Sequence, residues 1–173
     1  DHVRETFYLH HQVTDPMVIA DTEGFLFFSR TLAHLCAPVF VILTGLSAYL
    51  YQAKYNSLTK TREFLLKRGL FLIFLELVVI IFAWTGPFPP DVIYLQVIWA
   101  IGLSMVALSL LIGFSKKWLW IISLFIIFGH NLLEKISFVD MPLLQNFWFI
   151  FYERGWIELG GISLRTSYPV LPW

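Results

Sequence analysis

Four largely apolar runs decide what this chain can fold into: Phe25 to about Tyr51, Phe64 to Trp84, Val92 to Phe114, and Trp118 to about Leu133. A helix needs about 20 predominantly apolar residues to cross the hydrocarbon core of a bilayer. Runs of this length follow one another with short polar breaks, so the chain is read as an all-α membrane protein, a polytopic bundle of transmembrane helices. Composition agrees. Charged residues make up 14% and hydrophobic ones 58%, with a mean hydropathy of +0.72, whereas a soluble domain carries about 25% charged residues. So much apolar surface needs the lipid bilayer as a partner. The formal net charge is zero, which leaves no basic face for a nucleic acid.

Between the runs, residues 52–63 read as a polar loop, and Gly86, Pro87, Pro89 and Pro90 as a helix-breaking turn. Met141 to Tyr152 is apolar over about half a span, which fits a re-entrant or interfacial segment. Tyr168–Trp173 reads as the onset of a further span. With Asp1 in place of a starting methionine, residues 1–173 are expected to be part of a single domain of a larger bundle. Basic residues mark cytoplasmic loops. Lys54, Lys60, Arg62, Lys67 and Arg68, with Lys116 and Lys117, therefore place one side in the cytoplasm and both ends of the chain outside it.

On that orientation all five histidines, His2, His10, His11, His34 and His130, fall toward the extracytoplasmic side. Ionisable groups at membrane depth are costly and normally face a bundle interior or a wet cavity. Asp1-His2 offers a carboxylate beside a general base; the alternative is a polar helix end among the headgroups. Arg30 and His34, four apart on one helix face, could hold an anion or a developing negative charge, or simply anchor a helix at the interface. His130-Asn131 closes the fourth run at the same level. Gln96 and Trp99, three apart, either contact substrate or pack. Glu76, near the middle of the second run, reads as an interhelical hydrogen-bonding or salt-bridge residue. His10-His11 has no third ligand at zinc-like spacing, so a metal is rejected.

Seven segments occur in order: Asp1-His2-Val3-Arg4, Arg30-Thr31-Leu32-Ala33-His34-Leu35-Cys36-Ala37-Pro38-Val39-Phe40, Thr44-Gly45-Leu46-Ser47-Ala48, Lys67-Arg68-Gly69-Leu70, Leu95-Gln96-Val97-Ile98-Trp99-Ala100-Ile101-Gly102, Gly129-His130-Asn131-Leu132-Leu133 and Tyr168-Pro169-Val170-Leu171-Pro172-Trp173. Together they resemble bacterial membrane proteins related to the catalytic domain of heparan-α-glucosaminide N-acetyltransferase. The resemblance implies a multi-helix acyltransferase of the bacterial inner membrane that moves an acyl group, acetyl above all, from acyl-coenzyme A to an acceptor on the other side, a sugar or glycan. Acyl-coenzyme A is then a co-substrate and no cofactor is bound permanently; assembly into a homo-oligomer stays open. His2 is the match for an essential extracytoplasmic histidine, with Asp1 orienting it, Arg30 and His34 stabilising the oxyanion, and Gln96, Trp99, His130 and Asn131 lining the pocket. The competing readings are a proton-coupled permease that uses Glu76 and the histidines as a relay, and a scaffold without chemistry.

Overall fold

The computed structural model describes residues 22–86, 89–138 and 140–173. The chain divides into two compact units, residues 1–43 and 44–173.

In the described part of the first unit, α1 (Gly24–Ala33) is followed by a turn at His34-Leu35 and then by the start of α2 (Cys36–Tyr55), which continues into the second unit. The first run is therefore two helices, and Pro38 explains the break. A helix would have the residue at 38 donate to the His34 carbonyl; proline has no N–H, and its ring crowds that oxygen. The chain tightens locally instead, with Leu35 N–H donating to the Leu32 carbonyl at 3.1 Å.

In the second unit, the expected loop over 52–63 is nearly all helix. Only Asn56 and Ser57 interrupt it: Asn56 takes a left-handed φ of 45°, and the Ser57 hydroxyl caps α3 (Leu58–Phe74) by accepting from Lys60 N–H. The charges that suggested a loop belong to Lys, Arg and Glu, all good helix formers. Helical backbone continues through a π-helical segment, Leu75–Ile80, into α4 (Ile81–Thr85). The third run begins as a strand, β1 (Val92–Leu95), and turns helical only at α5 (Val97–Leu111). After it come α6 (Lys116–Gly129), a 3-10 turn (His130–Lys135), α7 (Pro142–Phe151), β2 (Gly155–Leu159) and β3 (Ile162–Thr166).

The all-α expectation is thus corrected by a three-stranded sheet of order β1-β3-β2, with β1 parallel and β2 antiparallel to β3. Gly160 and Gly161, at φ of 56° and 97°, make the two-residue turn of the β2–β3 hairpin. Such a turn needs positive φ at both central residues, which glycine adopts without strain. Tyr168–Trp173, expected to open a span, forms turns, and the N–H groups of Val170 and Leu171 donate to the carbonyls of Ile150 and Phe151 at the end of α7.

The core of this unit is the antiparallel pair α3/α5. Thr61, Leu65 and Gly69 form one buried stripe on α3, facing Gly102, Met105 and Ser109 of α5. Leu65 and Met105 meet Ala48 of α2. The helices touch at two glycines: a Cβ on Gly69 would lie 2.6 Å from the Gly102 carbonyl oxygen, and one on Gly102 would lie 2.8 Å from that of Gly69. Backbones can approach this closely only where the side chains are absent, as at small-residue contacts between membrane helices.

Two helical stretches, Gly24–Tyr55 and Lys116–Lys135, are long and apolar enough to cross a membrane. Only 6% and 0% of their most apolar windows is buried, and Phe125 and Phe128 on α6 are each 76% exposed. A helix apolar on all sides finds its partner in lipid.

Candidate functional site

Asp1 and His2, together with His10 and His11, lie outside the described residues. Arg30 is half-buried on α1, and His34 follows that helix as an exposed residue; its backbone N–H donates to the Arg30 carbonyl at 3.2 Å. The two residues therefore stand one helical turn apart. The turn that carries His34 exists because of Pro38, so the histidine sits at a break in an apolar helix, where backbone polar groups are also freed.

Glu76, Gln96 and Trp99 are brought together. Gln96 is the residue before the first turn of α5, in extended conformation, and its own side chain makes no cap. Glu76 supplies that cap from another helix. It is buried in the π-helical segment, 2% exposed, and its carboxyl group is hydrogen-bonded to the backbone of Gln96 and Trp99. A helix start leaves unsatisfied N–H groups and carries the positive end of the helix dipole, so a carboxylate is well matched there. Gln96 and Trp99 thus meet Glu76 through their backbones. The Trp99 indole N–H is buried and has no hydrogen-bond partner among the described residues. π-helical turns are rare and recur at functional sites, which singles out this junction of α3, α4 and α5.

His130 opens the 3-10 turn after α6. Its Nδ1 lies 3.0 Å from the carbonyl oxygens of both Ile126 and Ile127. A carbonyl oxygen only accepts, so Nδ1 is the donor to this pair. Asn131 beside it is exposed. Among the described residues, the bonds of His130 run to its own helix and not to the Glu76 trio.

A cleft of about 560 Å³ lies at the basic end of the second unit, lined by Tyr51, Lys60, Glu63, Phe64, Lys67, Arg68 and Phe71. Tyr51 and Phe64 stack with centroids 4.1 Å apart and planes at 9°, and the Arg68 guanidinium lies 5.7 Å from the Phe64 ring centroid. Lys67 donates to Glu63 at 2.6 Å. That hydrogen bond, reinforced by the lysine charge, holds the Glu63 carboxyl below the ordinary carboxylate range. Arg62 points away from the cleft, against Gly113 beyond the end of α5. Glu76 meets the opposite end of the same pair, about 21 Å along the helix at 1.5 Å per residue from Arg62. Basic cleft and carboxylate-capped junction therefore mark the two ends of α3/α5.

The sequence matches the family described as heparan-alpha-glucosaminide N-acetyltransferase, catalytic, over residues 7–173. The chain belongs to this family. Arg30, His34, Glu76, Gln96, Trp99, His130 and Asn131 all fall within the segment matched to the acetyltransferase family, whereas Asp1 and His2 precede it. No curated protein and no solved structure matches the chain. Two features of this family member were missed by reasoning from sequence. The aromatic partners Tyr51 and Phe64 of the basic cleft lie on different helices, so no local spacing joins them. The sheet, by contrast, was signalled by Gly160-Gly161 between Ile157-Glu158-Leu159 and Ile162-Ser163-Leu164-Arg165, which alternate apolar and polar residues.

Proposed function

We propose that this chain forms part of a polytopic membrane-bound acyltransferase that moves an acyl group, acetyl in the simplest case, from acyl-coenzyme A to a sugar acceptor on the extracytoplasmic side. The observation that carries the reading is the family match over nearly the whole chain. The basic cleft supports it. Lys60, Lys67 and Arg68 offer positive charge to coenzyme A phosphates, and the stacked Tyr51 and Phe64 offer an aromatic surface to its adenine. Lysine and arginine both serve phosphate recognition, the guanidinium through its planar fork.

In this mechanism His2, oriented by Asp1, takes the proton from the acceptor amine or hydroxyl as it attacks the thioester carbonyl. Arg30 and His34 stabilise the oxyanion of the tetrahedral intermediate. The C–S bond then breaks, and the coenzyme A thiolate leaves with the proton. Gln96, Trp99, His130 and Asn131 shape the acceptor side. The permease alternative uses Glu76 as a relay; the place of that buried side chain against the backbone at the start of α5 supports an anchoring role.

The test uses the intact membrane protein in lipid nanodiscs with radiolabelled acetyl-coenzyme A and a glucosamine oligomer. General-base help is worth about 10²–10⁴-fold, so His2→Ala should lower acetyl transfer by that order and leave acetyl-coenzyme A binding near normal. Lys67→Ala combined with Arg68→Ala should raise the Kd for acetyl-coenzyme A. Normal turnover in His2→Ala moves the base to His34 or His130, and normal turnover in each of the three single alanine variants removes the histidine mechanism.

A further inference from the structure

The sheet has two unlike faces. One carries Leu95, Ile157 and Thr166, all nearly inaccessible, together with Gly155. Phe149 of α7 occupies the place where a Cβ on Gly155 would stand, so α7 covers this face. The other face is open. Strand register sets Tyr94, Arg165 and Trp156 in one row across β1, β3 and β2, with Glu158 opposite Ser163 one pair further along. Trp156 is 46% exposed and Tyr94 40%. Their rings lean toward each other over the central strand, 6.5 Å apart and edge-on, and the Arg165 guanidinium lies 5.1 Å from the Trp156 ring centroid. Ser163 hydroxyl sits 2.9 and 2.8 Å from the two Glu158 carboxyl oxygens.

Two strand spacings make this row about 10 Å wide, enough for a short oligosaccharide. Exposed aromatic rings stack on the C–H faces of sugar rings, and the polar groups beside them bond the hydroxyls. Glu158 decides between the possible occupants. A row of Tyr and Trp with Arg165 also suits the membrane interface, but the exposed Glu158 carboxylate on the same face is unfavourable among acyl chains. It is complementary to an ammonium group. The sheet contacts the π-helical segment, α4 and α5 through β1, at the end of α3/α5 away from the basic cleft.

We propose that the Tyr94–Arg165–Trp156 row with Glu158 is the binding platform for an amino-sugar acceptor, the aromatic rings stacking on the sugar and Glu158 pairing with its free amine. This rests on the acyltransferase reading given above, because that reading supplies the acceptor class. It adds the residues that hold the acceptor and a reason for preferring the unacetylated amine: once acetylated, the nitrogen is neutral and loses its pairing with Glu158, which favours release of product.

The experiment is calorimetric titration of the intact protein in zwitterionic-lipid nanodiscs with glucosamine trimer, its fully N-acetylated counterpart, and maltotriose. Glucosamine trimer should bind at least tenfold more tightly than the other two. Trp156→Ala should weaken it tenfold or more, and Glu158→Gln should bring it to the level of the acetylated trimer. Acetyl-coenzyme A binding by the same variants is the check on folding; if Trp156→Ala loses it, Trp156→Leu and Glu158→Gln carry the test. Glucosamine trimer bound equally well by wild type and by Glu158→Gln would overturn the platform while leaving the acceptor class intact. Wild-type protein that transfers acetyl groups but binds no amino sugar would remove the acceptor class, and the platform with it. Fluorescence that is lost in Trp156→Phe, quenched by brominated lipid and indifferent to sugar would assign the face to the headgroup layer and overturn the proposal.

Discussion

At the residue scale, Glu76 has the best-defined task. Its carboxyl group bonds the backbone of Gln96 and Trp99, one residue before α5 and three residues into its first turn. In an ordinary capping box those two groups are satisfied from within the helix itself; here one carboxylate from a neighbouring helix serves both. Glu76→Leu leaves two buried donors without an acceptor, and an unsatisfied buried group costs about 1–3 kcal/mol. Glu76→Gln keeps one acceptor oxygen and loses the charge beside the helix start, worth about 0.3–2 kcal/mol. Thermal unfolding in detergent should therefore rank wild type above Gln and Gln above Leu. A Leu variant as stable as wild type would show that the junction does not depend on this cap. A folded but inactive Gln variant would revive the proton-relay reading.

At the element scale, the pairing of α3 with α5 turns on Gly69 and Gly102. Forcing extra atoms into a packed contact costs typically 1–3 kcal/mol, and a methyl on Gly69 meets backbone, which cannot swing aside. Gly69→Ala should lower thermal stability by about that amount. Gly45→Ala on α2 is the control, since its Cβ would meet nothing within 4 Å and alanine favours helix by about 1 kcal/mol over glycine. Equal behaviour of the two variants would contradict the close contact. These elements also show what the sequence made legible. The apolar runs located the long helices because length and hydropathy survive any detail of packing. They concealed β1, because Val92–Leu95 is an apolar stretch that periodicity cannot separate from the helix it precedes. They concealed the break at His34 as well, since an apolar run looks continuous across it, although Pro38 marked the position. In the candidate site, Arg30–His34 was readable from spacing alone. The meeting of Glu76 with Gln96 and Trp99 depends on two helices crossing at paired glycines, and no local pattern encodes that.

At the scale of the whole molecule, the orientation in the membrane decides which chemistry each end can meet, and α5 decides the orientation. Residues 54–68 and Lys116-Lys117 carry the basic charge expected in the cytoplasm. For 137 to face the other side from 59, the chain must cross an odd number of times between them. On this orientation the apolar run Phe64–Trp84 and the stretch Lys116–Lys135, which is long and apolar enough to cross, would supply two crossings, and α5 would supply the third. The 15 residues of α5 reach only about 22 Å at 1.5 Å per residue, against a hydrocarbon core of about 30 Å. A helix shorter than the core is accommodated where the bilayer thins around it, which would leave β1 and its open sheet outside the hydrocarbon. Thr59 and Ser137, both exposed, are the places to test this, in a Cys36→Ser background because Cys36 is a free, exposed thiol. A cysteine at Ser137 should react with an impermeant maleimide in intact cells. A cysteine at Thr59 should react only after the membrane is permeabilised. Both reacting in intact cells would mean that α5 does not cross. The reverse pattern would turn the basic cleft outward, away from cytoplasmic acyl-coenzyme A, and the proposed transfer across the membrane would then lose its donor side.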